Sequence, residues 1–233
     1  MIFVSAPFGN YLQYTNFLKD ATYVTGTFTL KPRPGRFLQI LKTLRYVKTE
    51  AGWVWRNKLG LRNPGIFKGI DSTKWYNVMS ISSLEKNDWK ILYEIIPKNM
   101  NLELNISCPN VDKHPNLIKS FTKDNRKWCI VKVPPNITNK QIDKIVDLGY
   151  KQIHASNTVA TPKGGLSGRM VVPHTMRIID YIKTWHNHVE VIAGGGVTNM
   201  YGAKQYINAG ADHISLGTVC FTPWRLYNFR GKL

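Results

Sequence analysis

The chain has 233 residues, of which 43% are hydrophobic and 12% aromatic, and these proportions exclude general disorder. Its 32 Lys and Arg residues outnumber 14 Asp and Glu residues, which gives a net charge of +18. This excess favours contact with nucleic acid, an anionic membrane surface or acidic metabolites. The charges are scattered along the chain, however, and a solvated basic surface would show the same excess.

Cysteine usage and the apolar runs indicate the compartment. Cys108, Cys129 and Cys220 lie far apart without a C-x-x-C pair, which argues against a disulfide framework or a zinc site. The first seven residues lack the basic and apolar regions of a signal peptide. No apolar run approaches the roughly 18 residues that span a bilayer. We therefore expect a soluble, cytoplasmic protein with no metal and no membrane partner.

The first third of the chain is irregular in sequence. Residues 1–20 show no periodicity, whereas 21–30, rich in Thr, Val, Tyr and Phe, is predicted to be a strand. The basic stretch 36–56 suggests an antiparallel excursion through 45–47 and 53–55. The segment 57–65 is predicted to be a loop.

From residue 77 onward, short apolar strands alternate with amphipathic helices. The strands are predicted at 77–81, 102–106, 128–133, 152–155, 189–193 and 212–216, and the helices at 85–97, 115–123, 138–148, 173–186 and 199–209. This alternation predicts an α/β fold with a parallel sheet, either open or closed. No linker interrupts the pattern, so residues 1–233 are predicted to form a single domain.

The unusual polar residues of the chain follow the predicted strands. In the segment 105–110, N-I-S-C-P-N, proline stops the strand and places the thiol of Cys108 on a loop between two asparagines, which can grip a planar polar ring. A buried cysteine beside ordinary turn residues is the alternative. Lys132, inside an apolar strand, implies an anionic or electron-rich partner unless it reaches water from an edge strand.

Glycines follow the late strands. They lie at 164–168, a long loop of sequence G-G-L-S-G, at 194–196 and at Gly217, which precedes Thr218. If the sheet closes into a barrel, such glycines let backbone N–H groups approach a phosphate. Their repetition at successive strand ends indicates a phosphate-bearing cofactor.

These segments together resemble the dihydroorotate dehydrogenase family. N-I-S-C-P-N, V-K-V-P-P around Lys132, Asn157-Thr158, G-G-L-S-G, G-G-G-V and L-G-T come in the family's order, as do Gly26-Thr27 before K-P-R-P-G and N-K-L-G-L at 57–61. The matches extend from about residue 22 to 222. The resemblance implies a compact (β/α)₈ TIM barrel that binds FMN and oxidises dihydroorotate to orotate in de novo pyrimidine (UMP) biosynthesis.

The resemblance also implies roles for individual residues. Cys108 would be the catalytic base. The substrate would be held by Asn57, Lys58, Leu59, Gly60, Leu61, Asn105, Asn110, Asn157 and Thr158. The flavin ring would be contacted by Gly26, Thr27, Asn105, Lys132 and Ser156, and its phosphate by Gly168, Gly195, Gly196, Gly217 and Thr218.

The motifs resemble two different subclasses of the family. A cysteine base is similar to the soluble enzymes that reduce fumarate, or NAD through a partner subunit, whereas Asn157-Thr158 with G-G-L-S-G looks more like the quinone-using class. Soluble members carry a lysine where this chain has Gly26, and the segment 7–13 lacks the small residues and lysine of the membrane class. The chain is also shorter than typical members and leaves little room for a final helix after Trp224. Fumarate is the acceptor that we expect first, and a homodimer is compatible with such a barrel.

Two other functions stay open from the sequence. One is a flavin barrel acting on RNA, similar to tRNA dihydrouridine synthases, which also place a cysteine between asparagine and proline and would use the +18 charge. The other is a degenerate barrel that binds flavin or orotate without catalysis, suggested by the missing lysine and the short ends.

Overall fold

The computed structural model describes residues 1–15, 17–108 and 116–230. Its strands are β1 (Ile2–Val4), β2 (Thr22–Thr29), β3 (Arg45–Thr49), β4 (Gly52–Asn57), β5 (Val78–Ser82), β6 (Leu102–Asn105), β7 (Cys129–Lys132), β8 (Gln152–Ala155), β9 (Val159–Thr161), β10 (Gly164–Leu166), β11 (Glu190–Gly194) and β12 (His213–Leu216). Its α-helices are α1 (Gly9–Leu12), α2 (Arg36–Thr43), α3 (Ile66–Ser72), α4 (Asp88–Ile95), α5 (Asn139–Asp147), α6 (Val172–Trp185) and α7 (Met200–Asn208). Short 3₁₀ helices cover Lys119–Lys123, Gly168–Val171, Thr218–Phe221 and Pro223–Phe229.

Eight parallel strands form a closed barrel. Their order around the barrel is β1, β2, β5, β6, β7, β8, β11 and β12, and β1 closes the ring by pairing with both β2 and β12. The other four strands form a separate antiparallel sheet in the order β3, β4, β10, β9. The predicted (β/α)₈ barrel is therefore confirmed, as is the antiparallel excursion. Assignment of the whole chain to one domain stays a prediction.

The helix ends follow local sequence signals. Thr138 begins α5 with a capping box, in which its Oγ1 accepts from the backbone N–H of Gln141 at 3.3 Å and its own N–H donates to Gln141 Oε1 at 2.9 Å. Asn199 Oδ1 caps α7 by accepting from Gly202 N–H at 3.0 Å. These contacts mark the starts of α5 and α7, and α6 instead has a proline in its first turn.

The strands of the barrel bury both of their faces. On β7, Val131 packs outward in the main core beneath the helices, whereas Ile130 points into the barrel. The residues that fill the lower interior of the barrel with Ile130 are apolar: Phe3, Val24, Val78, Trp128 and Ile192. In the described ranges no helix is long and apolar enough to cross a membrane, and the longest, α6, has 14 residues.

Several elements differ from the sequence-based predictions. Residues 1–20 are not irregular throughout, because β1 closes the barrel and is too short, at three residues, to show a period. The long glycine-containing loop instead carries the hairpin of β9 and β10. The helix expected at 115–123 is a 3₁₀ helix over Lys119–Lys123, and residue 115 lies outside the described residues. Helices α2 and α3 were not predicted.

Candidate active site

A cavity of about 540 Å³ opens at the carboxyl ends of the barrel strands. Strand ends from β2, β6, β7, β8, β11 and β12 line it, and β4 of the antiparallel sheet borders it with Trp55 and Asn57. Its volume lies within the range of small-molecule sites in proteins. This end of a TIM barrel is also where active sites are found.

Nearly all the residues singled out from the sequence line this cavity. They are Gly26, Thr27, Asn57, Leu59, Gly60, Leu61, Asn105, Cys108, Lys132, Ser156, Asn157, Thr158, Gly168, Gly195, Gly196, Gly217 and Thr218. Lys58 does not line it, because its side chain is exposed and its backbone is tied to α2 through Gln39 and Thr43. Asn110 lies outside the described residues.

Two predicted asparagines are held by a shared serine. Asn105 Oδ1 accepts from the backbone N–H and the hydroxyl of Ser107 at 3.1 and 2.8 Å. Asn157 Nδ2 donates to the carbonyl and hydroxyl oxygens of Ser107 at 3.1 and 2.9 Å. Ser107 is buried and was not assigned a role from sequence. Its contacts fix both amides beside the segment that carries Cys108.

The thiol of Cys108 is well shielded from water. The residue is 8% exposed, is not part of a disulfide and lines the cavity one residue after Ser107. Of the other two cysteines, Cys129 does not line the cavity and Cys220 does, and burial raises the pKa of each to about 12. Cys108 is therefore the candidate nucleophile or base of the site.

Lys132 places a cation inside the barrel. It is 6% exposed and reaches the cavity, and its ammonium group donates no hydrogen bond within the part of the chain that the structure describes. Beneath it lie two further buried titratable groups, Glu103 and His154, joined at 2.6 Å between Glu103 Oε2 and His154 Nδ1. Burial opposes ionisation of Glu103, but Lys132, His154 and two hydrogen bonds outweigh it and lower the pKa of Glu103 to about 2.

The residues present fit a flavin mononucleotide. Gly196 has φ +72°, and a Cβ there would lie 2.5 Å from Val172 Cγ2, so only glycine permits this close approach of the β11 loop to the start of α6. Nothing lies within 4 Å of the Cβ position of Gly217, which leaves open space on that wall. A glycine-lined wall for a phosphate, together with a buried lysine facing the same cavity, suits a phosphate-bearing, electron-accepting ring.

Gly26, which stands where the resemblance gives soluble members a lysine, is required by its surroundings. Its φ is +97°, and a Cβ would lie 2.4 Å from the carbonyl oxygen of Ser80. Asn10 on α1 holds the same residue by donating to Gly26 O at 3.2 Å and accepting from Gly26 N–H at 2.9 Å. The divergent segment 7–13 and the missing lysine are thus parts of one local structure.

Sequence reasoning missed several cavity residues. They include Arg36, Arg62, Trp55, His154 and Phe221. His154 carried a usable signal, since it stands two residues before Ser156 at a strand end. Arg36, Trp55 and Arg62 come from α2, β4 and the loop after β4, and Phe221 comes from the 3₁₀ helix that follows β12.

The chain is similar to known proteins both in sequence and in structure. A family model described as dihydroorotate dehydrogenase matches residues 8–225. A protein of Aquifex aeolicus described as dihydroorotate dehydrogenase A (fumarate) is 28% identical over 241 residues, which cover 87% of this chain and 76% of that protein. The catalytic subunit of dihydroorotate dehydrogenase B (NAD(+)) of Pelobacter propionicus is 27% identical over 251 residues, covering 91% and 80%.

Solved structures agree with the fold. The crystal structure of DHODH from Eimeria tenella in complex with ferulenol superposes with a TM-score of 0.70 at 18% identity, covering 89% of this chain and 72% of that one. The ligand-free form of the same protein gives a TM-score of 0.70 at 17% identity, covering 88% and 74%. With a family match over nearly its whole length, the chain belongs to the dihydroorotate dehydrogenase family of flavin-dependent oxidoreductases.

Proposed function

We propose that this chain binds FMN and oxidises dihydroorotate to orotate, a step of pyrimidine biosynthesis, with Cys108 as the base. The observation that supports it most is the grouping of a shielded thiol, two fixed asparagines and a buried lysine around one cavity. The family assignment supplies the substrate, since the relatives carry the enzyme's name.

The residues divide the reaction between them. The oxidation removes a proton and a hydride from adjacent ring carbons and leaves a carbon–carbon double bond. Cys108 Sγ takes the proton, which requires its thiolate form. Bound FMN supplies the acceptor for the hydride. Lys132, a buried cation at the cavity, would favour the negative charge that the flavin gains, and the burial of Cys108 would keep water from its thiol.

The polar groups around the thiol hold the substrate. Asn105 and Asn157 are oriented by Ser107, so their remaining hydrogen-bonding capacity is directed before the substrate binds. Asn57, Lys58, Leu59, Gly60, Leu61 and Thr158 complete the substrate side. Because the side chain of Lys58 is exposed, the contribution of this residue is to set the course of the loop backbone.

The proposed electron acceptor is fumarate. Its support is the name of the Aquifex aeolicus relative, and the alternative of NAD through a partner subunit is the one carried by the Pelobacter propionicus name. Anaerobically reduced protein mixed with fumarate or with NAD distinguishes them, because only the true acceptor restores the oxidised flavin band rapidly. A homodimer and a cytoplasmic location stay predictions from the sequence.

The first test is an absorbance spectrum of the protein reconstituted with FMN, before and after anaerobic addition of dihydroorotate. We expect an oxidised flavin band that bleaches as orotate forms. A band that persists would favour the non-catalytic or RNA-acting alternatives, and absence of any flavin after reconstitution would contradict the cofactor itself.

A further inference from the structure

Below Asn105 runs a continuous chain of hydrogen bonds that crosses the barrel interior. Asn105 Nδ2 donates to Thr27 Oγ1 at 3.0 Å, Thr27 and Ser80 hydroxyls lie 2.9 Å apart, and Ser80 Oγ donates to Glu103 Oε1 at 2.8 Å. The other oxygen of Glu103 meets His154 Nδ1 at 2.6 Å. The chain thus links β6 to β2, to β5 and back to β6, and ends on β8.

The carboxylate of Glu103 sets the direction of every bond in this chain. An ionised carboxylate can only accept hydrogen bonds, so both Ser80 and His154 must donate to it. Ser80 has then used its only proton, and the hydroxyl of Thr27 must donate to Ser80. Thr27 therefore accepts from Asn105, which holds the amide nitrogen of Asn105 towards Thr27, the orientation that Ser107 favours by donating to the amide oxygen from the other side. If the hydroxyl of Ser80 donated to Thr27 instead, its oxygen would present a lone pair to a buried carboxylate oxygen of Glu103, which is unfavourable.

The negative charge of Glu103 also offsets the positive charge of Lys132, without using the hydrogen-bond donors of its ammonium group. Glu103 on β6 and His154 on β8 come from the two strands that flank β7, and they meet beneath the lysine that β7 carries. Both carboxylate oxygens are already bonded, to Ser80 and to His154. The ammonium group of Lys132 therefore keeps its three donors for the cavity while a negative charge stays close by.

We propose that Glu103 is a positioning residue of this active site, which orients Asn105 through Ser80 and Thr27 and balances Lys132 by charge. The titratable groups that face it are His154 on β8 and Lys132 on β7, and its remaining neighbour is the Ser80 hydroxyl on β5. The proposal rests on the proposed FMN and orotate site, since Asn105 is there a contact to the substrate and Lys132 one to the flavin.

Two variants separate the two effects. Glu103→Gln removes the charge and lets an amide N–H face Ser80, so both effects should be lost. We expect orotate to bind at least tenfold more weakly. The flavin midpoint potential should rise, because Lys132 loses its counter-charge, by about 30 mV for a tenfold change in the two-electron equilibrium. Ser80→Ala breaks the chain but keeps the charge, so orotate affinity should fall with little change in potential.

Ser215→Ala is the matched control. It removes another buried hydrogen bond of the barrel interior, 2.6 Å from Ser5, and leaves both effects untouched. Orotate affinity is measured by quenching of flavin fluorescence, and the potential by equilibration with a reference dye. A merely structural role of Glu103 would make all three variants alike and would leave the potential unchanged.

The outcomes distinguish this proposal from the function on which it rests. If the wild-type protein binds FMN and is bleached by dihydroorotate, an unshifted potential and orotate affinity in Glu103→Gln overturn only the role of Glu103. If Glu103→Gln does not fold, Ser80→Ala decides, and an unchanged orotate affinity overturns the positioning of Asn105. A wild-type protein that binds no flavin overturns both.

Discussion

The inside of the barrel contains two layers of opposite character, which we call the floor and the polar layer. The floor is the apolar set Phe3, Val24, Val78, Trp128, Ile130 and Ile192, and the polar layer above it contains Ser80, Glu103, Lys132 and His154. Along β7 the two layers are only two residues apart, at Ile130 and Lys132. Inward-facing positions alternate along a strand, so one short strand contributes to both.

The floor stabilises the fold, whereas the polar layer supports the site at which the proposed chemistry takes place. The floor buries apolar surface and contributes to stability. The polar layer buries charged groups, which is costly unless each has a partner. Ser80 and His154 donate hydrogen bonds to Glu103, and the charge of Glu103 offsets that of Lys132. Variants of the floor should change the free energy of unfolding without changing the chemistry. Variants of the polar layer should change the chemistry in addition to the free energy of unfolding.

The largest expected effect on the chemistry comes from Cys108→Ala. Removal of a general base typically lowers a rate by about 10²- to 10⁴-fold, and we expect a loss of turnover in that range with FMN still bound. Steady-state oxidation of dihydroorotate and the flavin absorbance of the same sample measure the two quantities.

Cys129→Ala is the control for that change. Cys129 does not line the cavity, and burial raises its pKa to about 12, so turnover per folded molecule should stay within about twofold of wild type. Wild-type turnover in Cys108→Ala would remove the assignment of the base.

The floor is tested by Ile130→Ala. Its side chain is almost fully buried, and truncation of such a residue costs about 2–5 kcal/mol of unfolding free energy. Denaturant unfolding should show this loss, whereas FMN affinity and turnover of the folded fraction should stay close to wild type. Ile91→Ala, on the exposed side of α4, should cost less than about 0.5 kcal/mol. Loss of flavin from folded Ile130→Ala would show that the two layers are not separable.

The sequence was sufficient to predict most strands of the barrel from β2 onward, and it placed Asn105, Cys108 and Lys132 at strand ends. Each of those strands is a run of apolar residues followed by a distinctive loop. The sequence did not reveal β1, because three residues carry no period, nor the pairing of Glu103 with His154. That pair forms across β7 between inward-facing side chains of β6 and β8, so it depends on the order in which strands distant in sequence pair, which no local pattern encodes.

The glycine wall gives a smaller and more specific effect. In Gly217→Ala the new methyl group would enter open space beside the cavity, so unfolding free energy should stay within about 0.5 kcal/mol of wild type. A phosphate that needs this space should bind about tenfold more weakly, equivalent to about 1.4 kcal/mol. Titration with FMN measures this affinity. Gly52→Ala, in the β3–β4 turn, is the control, and only its FMN affinity is compared with that of Gly217→Ala. An unchanged FMN affinity in Gly217→Ala would remove Gly217 from the phosphate contacts.

The smallest effect is the acid sensitivity that Glu103 gives to the polar layer. The pKa of Glu103 is about 2 in the folded protein and 4.5 is its ordinary value, so between these values the unfolded chain binds a proton that the folded protein does not. Its contribution to stability is therefore present above about pH 4.5 and is lost as the pH falls towards 2, amounting to about 1 kcal/mol between about pH 7 and pH 4. The pKa of His154 is lowered by burial and by Lys132, so His154 also lowers the unfolding free energy as the pH falls, beginning below its ordinary pKa of 6.5.

In Glu103→Gln, the fall in unfolding free energy below about pH 4.5 should become shallower, and the decline above about pH 4.5 should remain. If denaturant unfolding of the variant followed the wild-type pH profile throughout, the pKa of Glu103 would not be lowered in the folded barrel, and the favourable interaction of its carboxylate with Lys132 and His154 would not stand.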